Sequence, residues 1–163
     1  MNKVYLLEAL KARTEEAFKD LLLPGKPTKE EPEAAIRVPN VYLARLPDGK
    51  RTSQFAPYVI HTIINSSTRQ YAGRMPETLC NVRSIFCTYN PDEQEGGLAL
   101  LNMMERLRIA LLRDPILGGQ CELDREGGIE DLVYPDDTAP FFLGEMMSVW
   151  ALPSVRREVL EIR

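Results

Sequence analysis

The chain has 163 residues, 44% of them hydrophobic and 27% charged, ordinary for a globular protein and enough for one domain with a real core. Its net charge of −4 argues against a dedicated nucleic-acid binder, which would carry a basic face. No apolar run approaches the ~18 residues that span a bilayer. Lys3, Glu8, Lys11 and Arg13 interrupt any signal-peptide core, so a cytoplasm-like compartment is expected.

Residues 2–23 carry Leu7, Leu10, Ala17, Phe18 and Leu21 between Lys, Arg and Glu, a helical period with one apolar stripe, and Pro24-Gly25 is its stop signal. Segment 24–39 holds Pro27, Pro32 and Pro39 among Lys and Glu, and reads as an extended, mobile connector that buries little. A strand is expected over 41–46, closed by the turn Pro47-Asp48-Gly49. Residues 58–64 are the most β-branched of the chain and suit a central strand. A polar loop without periodicity spans 65–80, long enough to be functional or disordered. Residues 81–89 return as a strand, so 58–65 and 81–89 form a hairpin with a protruding tip.

An acidic turn over 90–97 leads into a helix over 98–113. That helix places Leu100, Met104, Leu107 and Leu111 on one face, with Leu101 and Leu112 flanking it. Asp92, Glu93 and Glu95 suit its positive end, and Arg113 its negative end. Short strands over 120–123 and 129–134, turns over 125–128 and 135–138, and a long strand over 141–152 follow. Pro153 ends the last strand. The charged tail 154–163 has a possible helical stripe of Val155, Val159 and Ile162.

This order predicts one α+β domain over 1–163, a mostly antiparallel sheet with helices on one face and a long β-hairpin loop. Its parts are an N-terminal helix (1–23), a Pro-rich connector (24–39), an α/β core (40–153) and a C-terminal tail (154–163).

Groups able to do chemistry are sparse. His61 is the single histidine and lies mid-strand, where a polar structural residue is favoured over a catalytic base. Cys80, Cys87 and Cys121 are odd in number and lack CxxC spacing, against a disulfide framework or a thiolate zinc site. Cys87 alternates with Ile85 and Tyr89, a buried and inert pattern. The clusters Asp92-Glu93-Gln94-Glu95 and Asp136-Asp137 offer oxygens for a divalent cation, but helix electrostatics and turn chemistry explain them better. Gly96-Gly97 before a helix invites a phosphate, yet the acids ahead of it would repel one and no phosphate-loop motif is present. No catalytic, cofactor or metal residue is therefore assigned.

Arg69, Tyr71 and Arg74, with Arg37, Arg45, Lys50 and Arg51 near in sequence, form the one basic-plus-aromatic grouping, suited to nucleic acid, to an acidic protein surface, or simply to solvent. Met146, Met147 and Trp150 suit either core packing or an apolar self-association patch. Candidate contact residues are Arg69, Tyr71, Arg74, Met75, Met146 and Trp150.

Strand 82–89 with its acidic Gly-Gly turn and Leu101-Asn-Met-Met-Glu-Arg-Leu-Arg108, together with the closing Phe142-to-Glu158 run containing Trp150 and Pro153, resembles the phage tail terminator (tail completion) and related neck proteins. The resemblance covers the layout of about 1–160, and its specific wording lies in 82–112 and 141–158. It implies a non-enzymatic virion protein, assembled in the host cytoplasm and needing no cofactor. Such proteins form a ring, commonly of six copies, that caps the tail tube, meets the head connector and lets DNA pass as cargo. The lengths of 24–39 and 66–80 depart from that pattern and leave a head-completion ring as the alternative. A small metal-dependent enzyme using Asp92 or Asp136 is the remaining one.

Overall fold

Asn2 opens the first helix, its side chain accepting from the Tyr5 amide at 3.1 Å. In the computed structural model, which describes residues 2–30, 32–33, 35–47 and 55–156, this helix (α1) runs Lys3–Phe18. Its buried residues, Leu6, Leu10, Thr14 and Phe18, repeat every four positions and so share one face. The helix is shorter than the expected 2–23. Lys19 caps it, and Leu21 and Leu23 reach the core from the segment beyond.

The connector is more structured than its prolines suggested. Leu23–Pro24 (β1) pairs antiparallel with Ile36–Arg37 (β2). The Gly25 amide donates to Ala35 O at 2.8 Å. Arg37 donates to the carbonyls of Phe55 and Ala56 at 2.7 and 2.6 Å, and Lys26 Nζ stands 5.5 Å from the centre of the Phe141 ring. The expectation that 24–39 is wholly extended and unpaired is corrected at its ends, and Pro27 and Pro32 lie between the paired residues, where a missing amide costs no ladder bond.

The main sheet contains β3 (Asn40–Leu43), β4 (Tyr58–Arg69), β5 (Glu77–Tyr89), β6 (Ile116–Leu117), β7 (Cys121–Leu123), β8 (Ile129–Val133) and β9 (Phe141–Leu152), with α2 (Glu93–Arg113) between β5 and β6. The strand order is β3-β4-β5-β9-β7-β6, and β8 also pairs with β9. β3 runs parallel to β4, and every other pairing is antiparallel. The fold is α+β, as predicted. β7 and β8 share one margin of β9, β8 opposite 144–148 and β7 opposite 150–151.

The expected loop over 65–80 is mostly strand. β4 continues to Arg69 and β5 begins at Glu77, so only 70–76 remains as a tip. Asn65, Ser67, Thr68 and Arg69 are exposed and polar, so no apolar alternation marked this stretch. The ladder persists instead through Thr68 and Thr78 hydroxyls 2.8 Å apart and a cross-strand bond from Asn81 to Asn65. A bulge between Ile63 and Asn65 shifts the register. Asp48 and Gly49 of the expected 47–49 turn, Lys50 and Arg51, and Val159 and Ile162 of the tail lie outside the described residues.

Both helices cover the same face of the sheet. His61 is opposite Ser84, and Cys80, Val82, Phe86 and Thr88 share the Ser84 side of β5. Across β9 the partners on that side are Trp150, Ser148, Met146, Gly144 and Phe142. α1 meets this side at His61 and α2 meets it at Thr88. Leu100, Met103, Met104, Leu107 and Leu111 of α2 join Leu6, Leu10 and Phe18 of α1 in one continuous core. Each such fully buried side chain contributes about 1.5–3 kcal/mol relative to exposure. Close approach is set by Gly96, where an added Cβ would fall 2.1 Å from a ring carbon of Phe142. No described helix is long and apolar enough to cross a membrane.

Candidate functional site

The face of the sheet away from the helices has three zones. At the β3 end, Tyr58 and Cys87 form a satellite core with Leu46 and Ala56, edged by Tyr42, Phe55, Ile60, Tyr89, Phe141 and Leu143. Burial pushes the Cys87 thiol up to about 12, so it stays protonated and unreactive. Burial raises Cys80 and Cys121 as well, and all three thiols are free and buried.

The middle zone is a closed polar triangle. Arg83 Nε donates to Glu145 Oε2 at 2.6 Å and Arg83 Nη2 to Tyr134 Oη at 3.0 Å, while Tyr134 donates to the same Glu145 oxygen at 3.0 Å. β5, β9 and the residue after β8 are tied together on the face that no described helix covers. These residues were missed at the sequence level. Their signal was a charge of each sign, Arg83 between Val82 and Ser84 and Glu145 between Gly144 and Met146, within strands whose other charged residue is Glu77 at the start of β5.

The third zone is a cleft of about 790 Å³ at the hairpin end, lined in part by Arg69, Tyr71, Glu77, Glu122, Asp124 and Glu126. Arg69 and Tyr71 come together here, and Arg69 lies opposite Glu77 in the ladder. Counting Arg125, the lining holds two cations against four carboxylates. A phosphate backbone would be repelled, so the nucleic-acid reading of this grouping loses its electrostatic basis. Arg74 and Met75 sit on the tip just beyond, and Tyr71 and Met75 are 58% and 50% exposed.

The remaining candidates are elsewhere. Arg37 is spent on backbone carbonyls near Phe55. Arg45 follows β3, whose last residue is opposite His61, about 25 Å along β4 from Arg69 at ~3.3 Å per residue. Met146 and Trp150 are corrected as contact residues: both are 0% exposed. They point toward the helices with Ser148, and the Trp150 indole donates to Ser148 Oγ at 2.8 Å, which satisfies its one polar atom in the core.

His61 is fully buried, as are Thr14 and Ser84 beside it. Thr14 Oγ1 donates to Leu10 O at 2.7 Å, so it accepts from His61 Nε2 at 2.8 Å, and His61 Nδ1 then accepts from Ser84 Oγ at 2.7 Å. Burial lowers the imidazole to about 3, which keeps it neutral. A Ser–His pair at this distance resembles a nucleophile and its base. Here it is sealed, and its third member is a hydroxyl rather than a carboxylate. The chain Ser84–His61–Thr14 pins α1 to the sheet.

Asp92 Oδ1 accepts from the amides of Gln94 and Glu95, both at 3.0 Å, so the acidic turn caps α2 as anticipated from helix electrostatics. Asp137 accepts from Ala139 N at 3.4 Å within its turn. Among the described residues no three His, Cys, Asp or Glu side chains converge as a metal site. No protein-family model matches this chain, and no curated protein matches it.

Proposed function

We propose that the chain is a ring-forming structural subunit at the head–tail junction of a tailed phage, terminating the tail tube and joining it to the head connector. The resemblance of 82–112 and 141–158 motivates the reading. One structural observation supports it most: the sheet has two unlike open margins. Beyond the stretch paired with β3, residues 62–69 of β4 have no strand on their outer side among the described residues, and β8 has none on its side away from β9. The first margin ends at Arg69 and the tip residue Arg74. The second is bordered by Glu126, Glu130, Asp131, Asp136 and Asp137.

Ring closure needs a heterologous contact, one patch meeting a different patch on the next copy. Opposite charge steers such an encounter, and strand addition supplies backbone hydrogen bonds. The exposed Tyr71 and Met75 lie where the hairpin tip would meet a neighbour or the tube.

Native mass measurement and electron microscopy of the full chain, alone and with tail tubes, test the reading. A closed ring, of about six copies by the resemblance, is the expected species. Arg69→Glu with Arg74→Glu disperses it, and adding Glu130→Lys with Asp131→Lys restores it. A strict monomer that also leaves tail tubes uncapped sinks the proposal. A ring that binds the head connector but not the tube assigns it to head completion instead.

A further inference from the structure

α2 carries two apolar stripes, and among the described residues only one is buried. Leu100, Met103, Met104, Leu107 and Leu111 face the sheet. Leu98, Leu101, Ile109 and Leu112 are 62%, 51%, 42% and 51% exposed. At 100° per residue the exposed set centres about 145° around the helix from the buried set, nearly its opposite side. A helix with a single buried side is normally polar there.

Within this outer stripe the spacing is symmetric. Leu98, Leu101, Glu105, Ile109 and Leu112 are separated by three, four, four and three positions, the same sequence of steps read from either end. Glu105, at the centre, is hydrogen-bonded by Arg108 one turn on, through Arg108 Nε at 2.9 Å and also through Nη2. From this palindrome we infer that the outer face of α2 docks on the same face of a second copy of this chain, antiparallel and two-fold about Glu105. Leu98 then meets Leu112 of the other copy and Leu101 meets its Ile109. At the axis two carboxylates and two guanidiniums come together, each Arg108 lying about 4.5 Å along the axis from the opposing Glu105 and each also within electrostatic reach of its own Asp131.

This contact is isologous, whereas the proposed ring closes through a heterologous one, so it does not rest on the ring reading, and the two surfaces adjoin at Asp131, which lies within electrostatic reach of Arg108 and Glu105. It is also small. A stripe about 21 Å long falls below a standard interface, so association is weak and concentration-dependent.

The test is sedimentation of the full chain from about 1 to about 500 µM, with the native protein compared with Leu101→Glu. The native mass should rise above that of one 18.5 kDa chain. Leu101→Glu should shift the association midpoint at least tenfold, with the thermal midpoint moving by no more than about 2 °C because the site is exposed. Register is tested by oxidative cross-linking: Glu105→Cys, on the axis, should link to its own copy, and Leu98→Cys, about 21 Å from its mate, should not. A chain monomeric throughout the range overturns the inference. So does an assembly unchanged by Leu101→Glu, since that would locate it on the sheet margins. A large thermal loss in Leu101→Glu also overturns it, because the stripe would then be covered by the chain itself.

Discussion

Gly96 and Gly97 are neighbours whose replacement by alanine should have opposite effects. A Cβ at Gly96 lands among three ring carbons of Phe142, the nearest at 2.1 Å, while nothing stands within 4 Å of one at Gly97. Gly96→Ala should destabilise by about 1–3 kcal/mol through overpacking, despite its better helix propensity. Gly97→Ala should stabilise by up to about 1 kcal/mol, since only the propensity changes. Urea unfolding of both variants reads the difference directly. His61 makes a second prediction at this scale. Its imidazole titrates near 3 when folded and near 6.5 when unfolded, so between those values the unfolded chain binds the extra proton. Its contribution is complete above about 6.5 and is lost as pH falls toward 3, at up to ~1.4 kcal/mol per pH unit. From pH 6.5 to 5 the native protein should lose up to ~2 kcal/mol, and His61→Leu should lack that slope. Chemical denaturation at closely spaced pH values measures it.

At the scale of elements, α2 was the most legible in the sequence. Its period, its terminal charges and Pro115 agreed with one another, and its core face is the one anticipated. Its start was misplaced: the helix begins at Glu93, because Asp92 is the cap itself and the acids lie within the first turn. Asp92→Ala should therefore cost about 1 kcal/mol in thermal or urea unfolding, while Asp92→Asn keeps most of the stability. A metal-ligand role would instead make the asparagine variant as damaging as the alanine. β9 was legible to the residue, since its apolar run ends at Pro153. The β1–β2 pair was not, because Leu23 and Arg37 are joined across a segment with no local period. Nor was the parallel direction of β3, a non-local choice. The candidate site was half legible. Arg69 and Tyr71 do meet, but Arg37 and Arg45 were near only along the chain, and the carboxylates that turn the cleft acidic come from the β7–β8 region, remote in sequence.

For the whole molecule, the asymmetry of the sheet matters most. One face is closed by two helices around a continuous core, and among the described residues the other is covered at one end only. The margins of that second face differ in charge, with Arg69 and Arg74 at one and Glu130 and Asp131 at the other. The two kinds of self-contact proposed above should respond differently to salt. Raising ionic strength from about 0.05 to about 0.5 M shortens the screening length to a few ångströms and should weaken a contact steered by Arg69 and Arg74 against Glu130 and Asp131. An apolar seam along α2 should weaken less, because its area term does not depend on screening. Light scattering across that salt range, on native protein and Leu101→Glu, separates them.

The irregularity at Ile64 has a consequence for how this chain tolerates change. Up to Ile63 the odd-numbered residues of β4 face the helices; past the bulge the even-numbered ones do, with Ser66 opposite Cys80 and Thr68 opposite Thr78. Ile64 acts as a one-residue phase shift, like a single base inserted in a reading frame. Removing it would leave Asn65 opposite Asn81 and Ser66 opposite Cys80 in a regular ladder, so each later residue would keep its side. Loss of this one residue should thus be absorbed, whereas loss of a paired residue beyond it, such as Ser66, moves the positions between it and the tip to the opposite side.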